Sequence, residues 1–471
     1  MAIKPESKAD VRYFNLYIPG QTEPQEAFEN IRWGDIQLDF FGLQKQLSSF
    51  LSIEDEDLLL LALTVAHVDS RVRRSRSSEW RRSIFLRIPV ADPQDWMSGS
   101  IMTSLKNCLE VLTRDSWQFE FYRRPHDCII GANSQGSLPF IEADVAMPYS
   151  EGLDSRAAWG LMEASKTLAI TIRSGPHTKF RVLESNREIV KSWIGVKLCI
   201  NRKDHPEMSF RTRTFLFFSI CALLAKRFRI QKIAVPETGQ GAIGSAMISW
   251  GNDHSYYGAH PLFTHYLDRF LSEVYREGAP RFSHPYLWMT KSELLRSWLE
   301  NDGNIELVYD AIKKTNSCSS GNSRFRGIKN GVHCGICPNC FLRRLALISA
   351  GMDNIHAKEK YIWRDLSRAT LEDMINIEDS ANVIKMRSPK RDQMVAGSSF
   401  IVHRDFAHLA SNVLESREVN FHAAQLAYAT GVSKDESLLR LQKLIRRHAA
   451  EWSAFVDKQV GQYSWFKHLI Y

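Results

Sequence analysis

The sequence predicts an α/β protein whose central parallel sheet carries helices on both faces. Three observations lead to this class. Short apolar strands alternate with helical stretches over residues 141–236, at the spacing typical of parallel sheets. Strand-like runs and helices interleave in residues 1–140, which predicts an additional N-terminal α+β domain. Helical periodicity prevails after residue 365, so residues 366–471 are predicted to form a C-terminal helical region.

The composition is that of an ordinary globular protein. Of the 471 residues, 44% are hydrophobic and 24% are charged. The formal net charge of +8 is compatible with anionic ligands but too dilute to require nucleic acid. The N-terminus lacks the apolar segment of a secretory signal, and the longest apolar stretches, residues 58–65 and 215–225, are shorter than the roughly 20 residues that cross a bilayer. We therefore expect a cytoplasmic protein without a membrane partner.

Individual elements follow from local patterns of apolar residues and helix caps. Strands are predicted over residues 11–18, 83–90, 116–122, 143–147, 167–173, 196–201 and 232–236. Helices are predicted over residues 53–68, 98–113, 156–166 and 212–228, from Pro261 onward, and from Ser433 to about residue 458. Ser433 and Glu436 have the spacing of a capping box. A charged, serine-rich loop over residues 388–399 is expected to precede the C-terminal unit.

Arginines are concentrated between residues 71 and 82, at Arg71, Arg73, Arg74, Arg76, Arg81 and Arg82. Such a run can bind nucleic acid or an acidic partner. It is also the composition of an exposed loop with solvated arginines. The sequence therefore leaves nucleic-acid binding open.

Residues 149–155 form a polar turn between a predicted strand and a predicted helix. Small residues let backbone N–H groups approach phosphate oxygens, and the hydroxyls of Ser150 and Ser155 add donors at the positive end of the helix. Asp154 is suited to organising the turn or to holding Mg²⁺ on the phosphates. The same residue types also occur in plain turns that cap helices, so the spacing alone leaves both interpretations open.

Four of the eight cysteines, Cys318, Cys334, Cys337 and Cys340, form a cluster. In a chain without a secretory signal, such a cluster favours a metal site over disulfides. Four thiolates match tetrahedral Zn²⁺, which would be structural because sulfur fills every position. An iron–sulfur cluster and a metal-free site stay open as alternatives, and His333 could replace one ligand. The scattered cysteines, Cys108, Cys128, Cys199 and Cys221, are expected to be buried thiols.

The turn carries a family resemblance. Residues 150–155 resemble the Ser-Gly-Gly-x-Asp-Ser pyrophosphate loop of the PP-loop ATP pyrophosphatases, whose fold is adenine nucleotide alpha hydrolase-like. Members of that family adenylate a carboxylate or carbonyl oxygen and release pyrophosphate. The resemblance implies ATP and Mg²⁺ as ligands, held by Ser150, Glu151, Gly152, Leu153, Asp154 and Ser155. Glu151 departs from the family because glycine is usual there, and a carboxylate beside a pyrophosphate is repulsive.

The turn and the cysteines together resemble the QueC family of 7-cyano-7-deazaguanine synthases, over about residues 141–365. The cysteine spacing, which continues into Arg343 and Arg344, carries this resemblance. Residues 290–293 are similar to the family's Thr-Lys-x-Glu segment. Thr290 and Glu293 also have the spacing of a capping box, which puts Lys291 in the first helical turn. Lys291 is accordingly a candidate for contact with an ATP phosphate.

The resemblance implies an ATP-dependent enzyme. QueC adenylates 7-carboxy-7-deazaguanine, captures ammonia as an amide and uses a second ATP to dehydrate the amide to a nitrile. It carries zinc on four cysteines near the deazapurine pocket. For this chain the resemblance implies catalytic roles for Ser150, Gly152, Asp154, Ser155 and Lys291. It also implies a zinc site at Cys318, Cys334, Cys337 and Cys340.

Two further departures bear on the substrate and the partner. The family's Gly-Tyr-Pro-Asp-Cys-Arg stretch is reduced here to residues 257–261, without its acid, thiol and guanidinium. The N-terminal and C-terminal additions resemble those of QueC-like proteins encoded in bacterial antiphage defence islands, namely the Qat systems and type IV CBASS. This implies transfer of the deazapurine carboxylate to an amine of a partner protein from the same operon. A homodimer also stays open.

A glycine-rich loop, residues 236–244, follows the strand predicted at 232–236. Its glycines permit close approach of a planar base or a peptide terminus. Glu237, Gly239 and Gly241 are therefore candidate cofactor contacts, with a flexible connection as the alternative. Asp253, His254 and His260 lie in the same region and are candidates for binding the base edge or moving a proton.

Two other functions fit the same motifs. One is a PP-loop enzyme that modifies tRNA or a nucleobase with a cysteine-held iron–sulfur cluster. The other is a zinc-bound scaffold of a defence complex, in which Glu151 has impaired ATP turnover. Metal content separates the first alternative from the zinc enzyme, and nucleotide binding separates the second.

Overall fold

The computed structural model describes most of the chain, with gaps. The described residues are 11–20, 22–41, 51–74, 80–124, 141–174, 184–185, 188–189, 193–200, 206–207, 209–249, 255–318, 332–376 and 388–470. The strands are β1 (Val11–Tyr17), β2 (Glu29–Arg32), β3 (Ile36–Phe41), β4 (Ser83–Val90), β5 (Ser116–Arg123), β6 (Val145–Pro148), β7 (Thr167–Ser174), β8 (Glu184–Ser185), β9 (Glu188–Ile189), β10 (Trp193–Ile200), β11 (Lys232–Ala234) and β12 (Arg281–Ser283).

Helices connect and follow these strands. They are α1 (Ile53–Arg71), α2 (Pro93–Trp96), α3 (Gly99–Thr113), α4 (Leu153–Leu161), α5 (Arg213–Arg227), α6 (Gly239–Ala242), α7 (Gly244–Met247), α8 (Pro261–Tyr275), α9 (Lys291–Asp302), α10 (Ile305–Lys313), α11 (Pro338–Ser349), α12 (Asp353–Lys358), α13 (Pro389–His408), α14 (Arg417–Thr430) and α15 (Lys434–Gln459). Within the described residues, no helix is both long and apolar enough to cross a membrane.

A six-stranded sheet confirms the predicted α/β class. Its strand order is β12-β11-β6-β7-β10-β3, and all neighbours are parallel except β3, which is antiparallel to β10. The five parallel strands follow a doubly wound order, in which the direction of winding reverses between β6 and β11. Ligands of such sheets bind at the carboxyl ends of the strands beside this reversal. In the chain, the polar turn follows β6 and the glycine-rich segment follows β11.

A second sheet is built from the N-terminal segment. Its order is β2-β1-β4-β5 and every pair is parallel. Strands and helices interleave here as predicted, and parallel pairing requires crossover connections such as α2 and α3 between β4 and β5. Phe14, Leu16 and Leu86 are fully buried on this sheet. Strand β3 leaves this segment and becomes the edge of the six-stranded sheet.

The chain forms two compact units that interleave along the sequence. The first consists of Met1–Pro148, Ala164–Val235 and Tyr256–Ser283, and it contains both sheets. The second consists of Tyr149–Glu163, Pro236–Ser255 and His284–Tyr471. These two units divide the chain differently from the domain boundaries predicted after residues 140 and 365. Those boundaries stay a prediction.

Local helix caps agree with the sequence. Thr290 accepts a hydrogen bond from the Glu293 amide at 3.3 Å, and the Thr290 amide donates to Glu293 Oε2 at 2.8 Å, which is the predicted capping box at the start of α9. Ser433 Oγ accepts from the Glu436 amide at 3.2 Å at the start of α15, which is one half of the capping box predicted there. The other half is not formed, because the Glu436 carboxylate pairs with Arg440 at 2.6 Å. These caps satisfy amide groups that a helix cannot pair internally.

The predicted loop over residues 388–399 is wrong, because this segment begins helix α13. Pro389 occupies the first helical turn, where its missing N–H is harmless. Val395 and Phe400 are buried, and Phe400 packs edge-on against Trp452 with ring centroids 4.7 Å apart. The serines and charges suggested a loop, but tertiary burial of these apolar residues stabilises the helix.

The interpretation of the arginine run as an exposed loop with solvated side chains is wrong at two of its positions. The guanidinium groups of Arg74 and Arg82 pair with Asp115 at 2.7 Å and 2.6 Å, and both side chains are at most 4% exposed. Asp69 pairs with Arg82 at 2.5 Å and accepts from the Thr212 amide at 2.9 Å. These arginines therefore stabilise the first unit, and Arg76 lies outside the described residues.

Candidate functional site

The polar turn leads directly into helix α4. Ser150 is exposed, Glu151 and Gly152 are half-buried, and Leu153, Asp154 and Ser155 are buried. Ser150 Oγ lies 2.9 Å from Ser155 Oγ and accepts from the Gly152 amide at 3.2 Å, so the turn closes on itself. The amides of residues 153–155 have no hydrogen-bond partner among the described residues. They form the positive end of a nine-residue helix, which is suited to a phosphate.

Lys291 joins this turn although it is 137 residues away in sequence. Its Nζ donates to Asp154 Oδ2 at 2.6 Å, and both side chains are 9% exposed. Asp154 Oδ1 is buried and accepts from no N–H group among the described residues, and the protonated Glu237 carboxyl forms a hydrogen bond with Asp154. A carboxylate fits a divalent cation such as Mg²⁺, which takes oxygen ligands.

Glu237 completes the charge balance beside this pair. Burial, together with the neighbouring Asp154 carboxylate, raises the pKa of Glu237 from 4.5 to about 8, against the opposing effect of Lys291. Glu237 therefore holds its proton at neutral pH. One cation, Lys291, then faces one anion, Asp154.

Two predicted glycine contacts have a packing role in the structure. The segment after β11 forms the short helices α6 and α7, where the sequence predicted a loop. A side chain at Gly239 would meet the Leu287 carbonyl oxygen, and one at Gly241 would meet Glu237 Oε1. These glycines make room for the backbone and for the Glu237 carboxyl. Their contact with a cofactor stays a prediction.

The C-terminal helix α15 supports residues 290–293 around Lys291, here called the lysine turn. The sequence analysis missed this contact. Glu451 accepts from Thr290 Oγ1 at 2.5 Å, from Gln240 Nε2 at 3.0 Å and also from Ser292 Oγ. Gln240 Oε1 accepts from the Lys291 amide at 2.7 Å. The main signal in the sequence is that His448 and Glu451, three residues apart, put polar groups on the buried face of an amphipathic helix.

A hydrogen-bonded path runs from the lysine turn to the cysteines. His448 Nε2 is 3.0 Å from the His403 carbonyl, which can only accept, so His448 Nδ1 accepts from Gln240 Nε2 at 2.8 Å. His403 Nε2 likewise donates to the Pro338 carbonyl at 2.8 Å. Burial lowers the pKa of His448 to about 3 and of His403 to about 4, so both rings are neutral at pH 7. Pro338 follows Cys337 directly.

The four clustered cysteines converge on one point. Their Sγ atoms all lie within 4.8 Å of one another, and Cys334 Sγ is 3.7 Å from Cys340 Sγ. A tetrahedral site with Zn–S bonds of about 2.3 Å places its sulfurs about 3.8 Å apart. The amides of Cys334 and Cys337 donate to the sulfurs of Cys318 and Cys334, each at 3.3 Å, which favours thiolates. The donor set therefore fits a structural zinc ion.

A buried ion pair braces the cysteine hairpin. Arg343 binds both oxygens of Glu359, at 2.7 Å and 2.8 Å, and donates to Thr315 Oγ1 at 2.7 Å. Glu359 Oε2 also lies 3.4 Å from His333 Nε2, so His333 contacts this ion pair. Among the scattered cysteines, Cys108 and Cys221 are buried free thiols as predicted. Cys128 and the side chain of Cys199 lie outside the described part.

Of the three candidates near residue 255, His260 is the one that the structure describes. His260 is fully buried, and its Nδ1 accepts from the Leu262 amide at 3.0 Å as the N-cap of α8. This cap replaces the predicted role at a base edge. Asp253 and His254 lie outside the described residues.

The fold is that of an α/β PP-loop ATP pyrophosphatase, and it carries four clustered cysteines whose geometry fits a metal ion. Residues 183–351 match the family model described as queuosine biosynthesis protein QueC. The match spans about a third of the chain and includes Lys291 and all four clustered cysteines, but it begins after the polar turn. The comparisons with curated proteins and with solved structures found no match. The matched segment supports ATP-dependent chemistry of the QueC kind.

Proposed function

We propose that the protein is an ATP-dependent, QueC-like enzyme that adenylates a carboxylate and transfers the acyl group to an amine. The contact between Lys291 and Asp154 at 2.6 Å carries this proposal. It joins two motifs that were recognised separately in the sequence, the polar turn and the Thr-Lys-x-Glu segment. Within the second unit, the glycine-rich segment adds Glu237 to the same cluster.

In this proposal the turn holds the phosphates of ATP. The amides of residues 153–155 and the hydroxyls of Ser150 and Ser155 donate to the β- and γ-phosphate oxygens. Lys291 adds a positive charge, and Asp154 holds Mg²⁺ through its carboxylate. Bound Mg²⁺ neutralises charge on the pyrophosphate as it leaves. Glu151 adds a negative charge to the turn, so we expect its replacement by glycine to strengthen ATP binding.

The chemistry proceeds in two transfers. A carboxylate oxygen of the substrate attacks the α-phosphorus, the bond to the bridging oxygen breaks, and pyrophosphate leaves with both electrons of that bond. The amine nitrogen then attacks the acyl carbon, AMP leaves, and the nitrogen loses a proton to solvent. The family resemblance favours a deazapurine acid such as 7-carboxy-7-deazaguanine as the substrate.

The amine is proposed to belong to a partner protein in antiphage defence. An acyl adenylate reacts with any amine that reaches it, so the docking surface selects the acceptor. The residues outside the matched segment, 1–182 and 352–471, are available to build that surface. The resemblance of these additions to QueC-like defence proteins supports this assignment.

The test is a mass-spectrometric assay with ATP, 7-carboxy-7-deazaguanine and a protein encoded beside the gene. We expect AMP release and a mass increase of one acyl group on the acceptor. Lys291→Gln should lower the rate at least about tenfold through loss of a charge on the phosphates. Lys313→Gln is the matched control, because Lys313 forms an exposed ion pair with Asp310 at 3.1 Å.

Other outcomes would identify the two alternatives. Iron with visible absorbance would favour a nucleobase-modifying enzyme with an iron–sulfur cluster. Failure of both wild type and Asp154→Ala to bind ATP in calorimetry would favour a scaffold. Equal activity of Lys291→Gln and Lys313→Gln would exclude the proposed role of Lys291.

A further inference from the structure

A cavity of about 490 Å³ lies next to helix α11, on residues that no motif singled out. Its lining comes from residues between Arg344 and Ser367, and from Lys458 and Gln459 at the end of α15. Of this lining, only Arg344 belongs to the segment that matches QueC. The volume is within the range of small-molecule sites, about 300–1,000 Å³.

Arg344 presents an unusual buried charge to this cavity. The side chain is fully buried, and its Nη1 and Nη2 donate to the carbonyls of Arg364 at 3.2 Å and Trp363 at 2.5 Å. Its Nε has no hydrogen-bond partner, and no carboxylate within the described residues forms an ion pair with it. A guanidinium stays charged at every physiological pH, and the charges of Cys340, Cys334 and Glu359 act on this one without a direct ion pair, so a bound anion would add the direct partner that it lacks.

Two further polar atoms around the cavity lack partners. Tyr361 is 1% exposed and its hydroxyl is unpaired among the described residues, as is Nε2 of His356. The Arg344 guanidinium stacks over the Tyr361 ring at 3.8 Å, and the two rings, Tyr361 and His356, are 5.8 Å apart. Buried polar groups are paired in more than about nine cases out of ten. Three unpaired groups around one cavity therefore indicate a missing ligand.

The acidic residues of the lining do not neutralise it. Glu359 is engaged by Arg343 through both oxygens. Asp365 accepts from Arg368 at 2.8 Å and from Ser367 Oγ at 2.6 Å. Arg364 donates only to the Ala357 carbonyl, at 3.3 Å, among the described residues. Lys458 pairs with Asp353 at 3.1 Å, so Arg344 and Arg364 are the two positive charges of the lining that no described carboxylate pairs with.

We propose that this cavity is a second binding site, for a small molecule that carries a carboxylate or a phosphate. The oxyanion accepts from Arg344 Nε, from the Tyr361 hydroxyl and from a His356 N–H, and it satisfies all three. Arg364 contributes charge at the exposed side of the cavity. The site is independent of the polar turn, and it adds a ligand beyond ATP and its acyl acceptor.

The test is calorimetric titration of the full chain with citrate and with inorganic phosphate. We expect one of these anions to bind, with citrate indicating a carboxylate ligand and phosphate a phosphate ligand. Arg364→Gln should weaken binding several-fold, because it removes a positive charge from the exposed side of the cavity. Arg440→Gln is the matched control, because Arg440 is an exposed arginine of the same unit that pairs with Glu436 at 2.6 Å, and neither residue is in the lining. Ser155→Ala should leave this binding unchanged.

Tyr361→Phe adds a readout that does not depend on misfolding. Without anion, this variant should be as stable as wild type or more stable, because it removes a buried unpaired hydroxyl. With anion, it should bind several-fold more weakly. The proposal is overturned if neither anion binds, if Arg364→Gln and Arg440→Gln weaken binding equally, or if Ser155→Ala abolishes it.

Discussion

Among single residues, Glu237 has the charge state that most constrains the candidate site. Its carboxyl lies in a buried cluster with Asp154 and Lys291, and its pKa is raised to about 8. Two ionised carboxylates facing one lysine would leave an unbalanced negative charge in a dry environment. Keeping the proton on Glu237 avoids this imbalance, and it leaves Asp154 free for its pairing with Lys291.

This charge state predicts a specific pH dependence of stability. The unfolded chain loses the Glu237 proton near pH 4.5, whereas the folded chain keeps it until about pH 8. The contribution of Glu237 is therefore fully favourable below pH 4.5 and is lost as the pH rises towards 8. Glu237→Gln should remove this loss, so the variant gains stability relative to wild type between pH 5 and pH 8. Urea unfolding at both pH values measures the effect.

Glu306→Gln is the control for that experiment, because Glu306 is an exposed residue on α10. Its unfolding midpoint should follow wild type at each pH. A Glu237→Gln midpoint that runs parallel to wild type across this range would contradict the raised pKa.

At the level of elements, α15 acts as a support for the lysine turn. Its Glu451 binds Thr290, Ser292 and Gln240, which in turn fix the start of α9 and the segment after β11. Sequence analysis identified α15 as a helix, and it identified the Thr290–Glu293 capping box, because both depend on local spacing. It could not pair them, because the residues in contact are about 160 positions apart.

We predict that Glu451→Ala loosens the lysine turn without unfolding α15. Three buried donors lose their acceptor, which costs at least about 2 kcal/mol. Hydrogen exchange measured by mass spectrometry should show faster exchange at residues 239–243 and 290–294. Glu436→Ala, an exposed residue on the same helix, should leave this exchange unchanged. Equal protection in both variants would exclude the supporting role.

The cysteine hairpin is the second element whose role is testable. Cys334→Ser should reduce the bound metal to less than one equivalent per chain and lower the melting temperature, because one of four ligands is lost and metal binding contributes to folding. Cys221→Ala is the control, since Cys221 is a buried thiol outside the cluster. It should lose core stability but keep its metal. Metal analysis that finds the same content in both variants would argue against a four-cysteine site.

For the whole molecule, the second unit depends on its C-terminal helices. Phe341, which follows the last clustered cysteine, packs against Phe400, Phe455 and Phe466 with ring centroids 5.5–6.1 Å apart. The C-terminal region is therefore part of the core around the cysteines. The charge and serine content of residues 388–399 did not indicate that the C-terminal region contributes to this core.

A chain that ends at residue 387 should accordingly lose the structure of the second unit. Removal of α13 to α15 exposes Phe341 and its neighbours to water, which costs several kcal/mol of burial. We expect rapid hydrogen exchange over residues 291–302 and 338–349, while α1 in the first unit stays protected. Full protection of both units in this shortened chain would contradict the prediction.

Local sequence patterns were sufficient to predict some features of this fold and of the candidate site. The strand at 83–90 and the convergence of the four cysteines followed from residue spacing, because β-alternation and tetrahedral ligation are short-range properties. The buried pairs of Arg74 and Arg82 and the neutral Glu237 did not, because each depends on a partner far away in the chain. The sheet order likewise requires contacts that no local window contains.

The edge strand β3 cannot pair in the six-stranded sheet until a much later part of the chain has been synthesised. Residues 36–41 pair with residues 195–200, so β3 leaves the ribosome about 150 residues before its partner. At a translation rate of about 5–20 residues per second, this interval lasts roughly 8–30 s. During that time its backbone groups are without their final hydrogen bonds and are accessible to chaperones. The nascent chain therefore reaches its native sheet only after the middle of the sequence has been made.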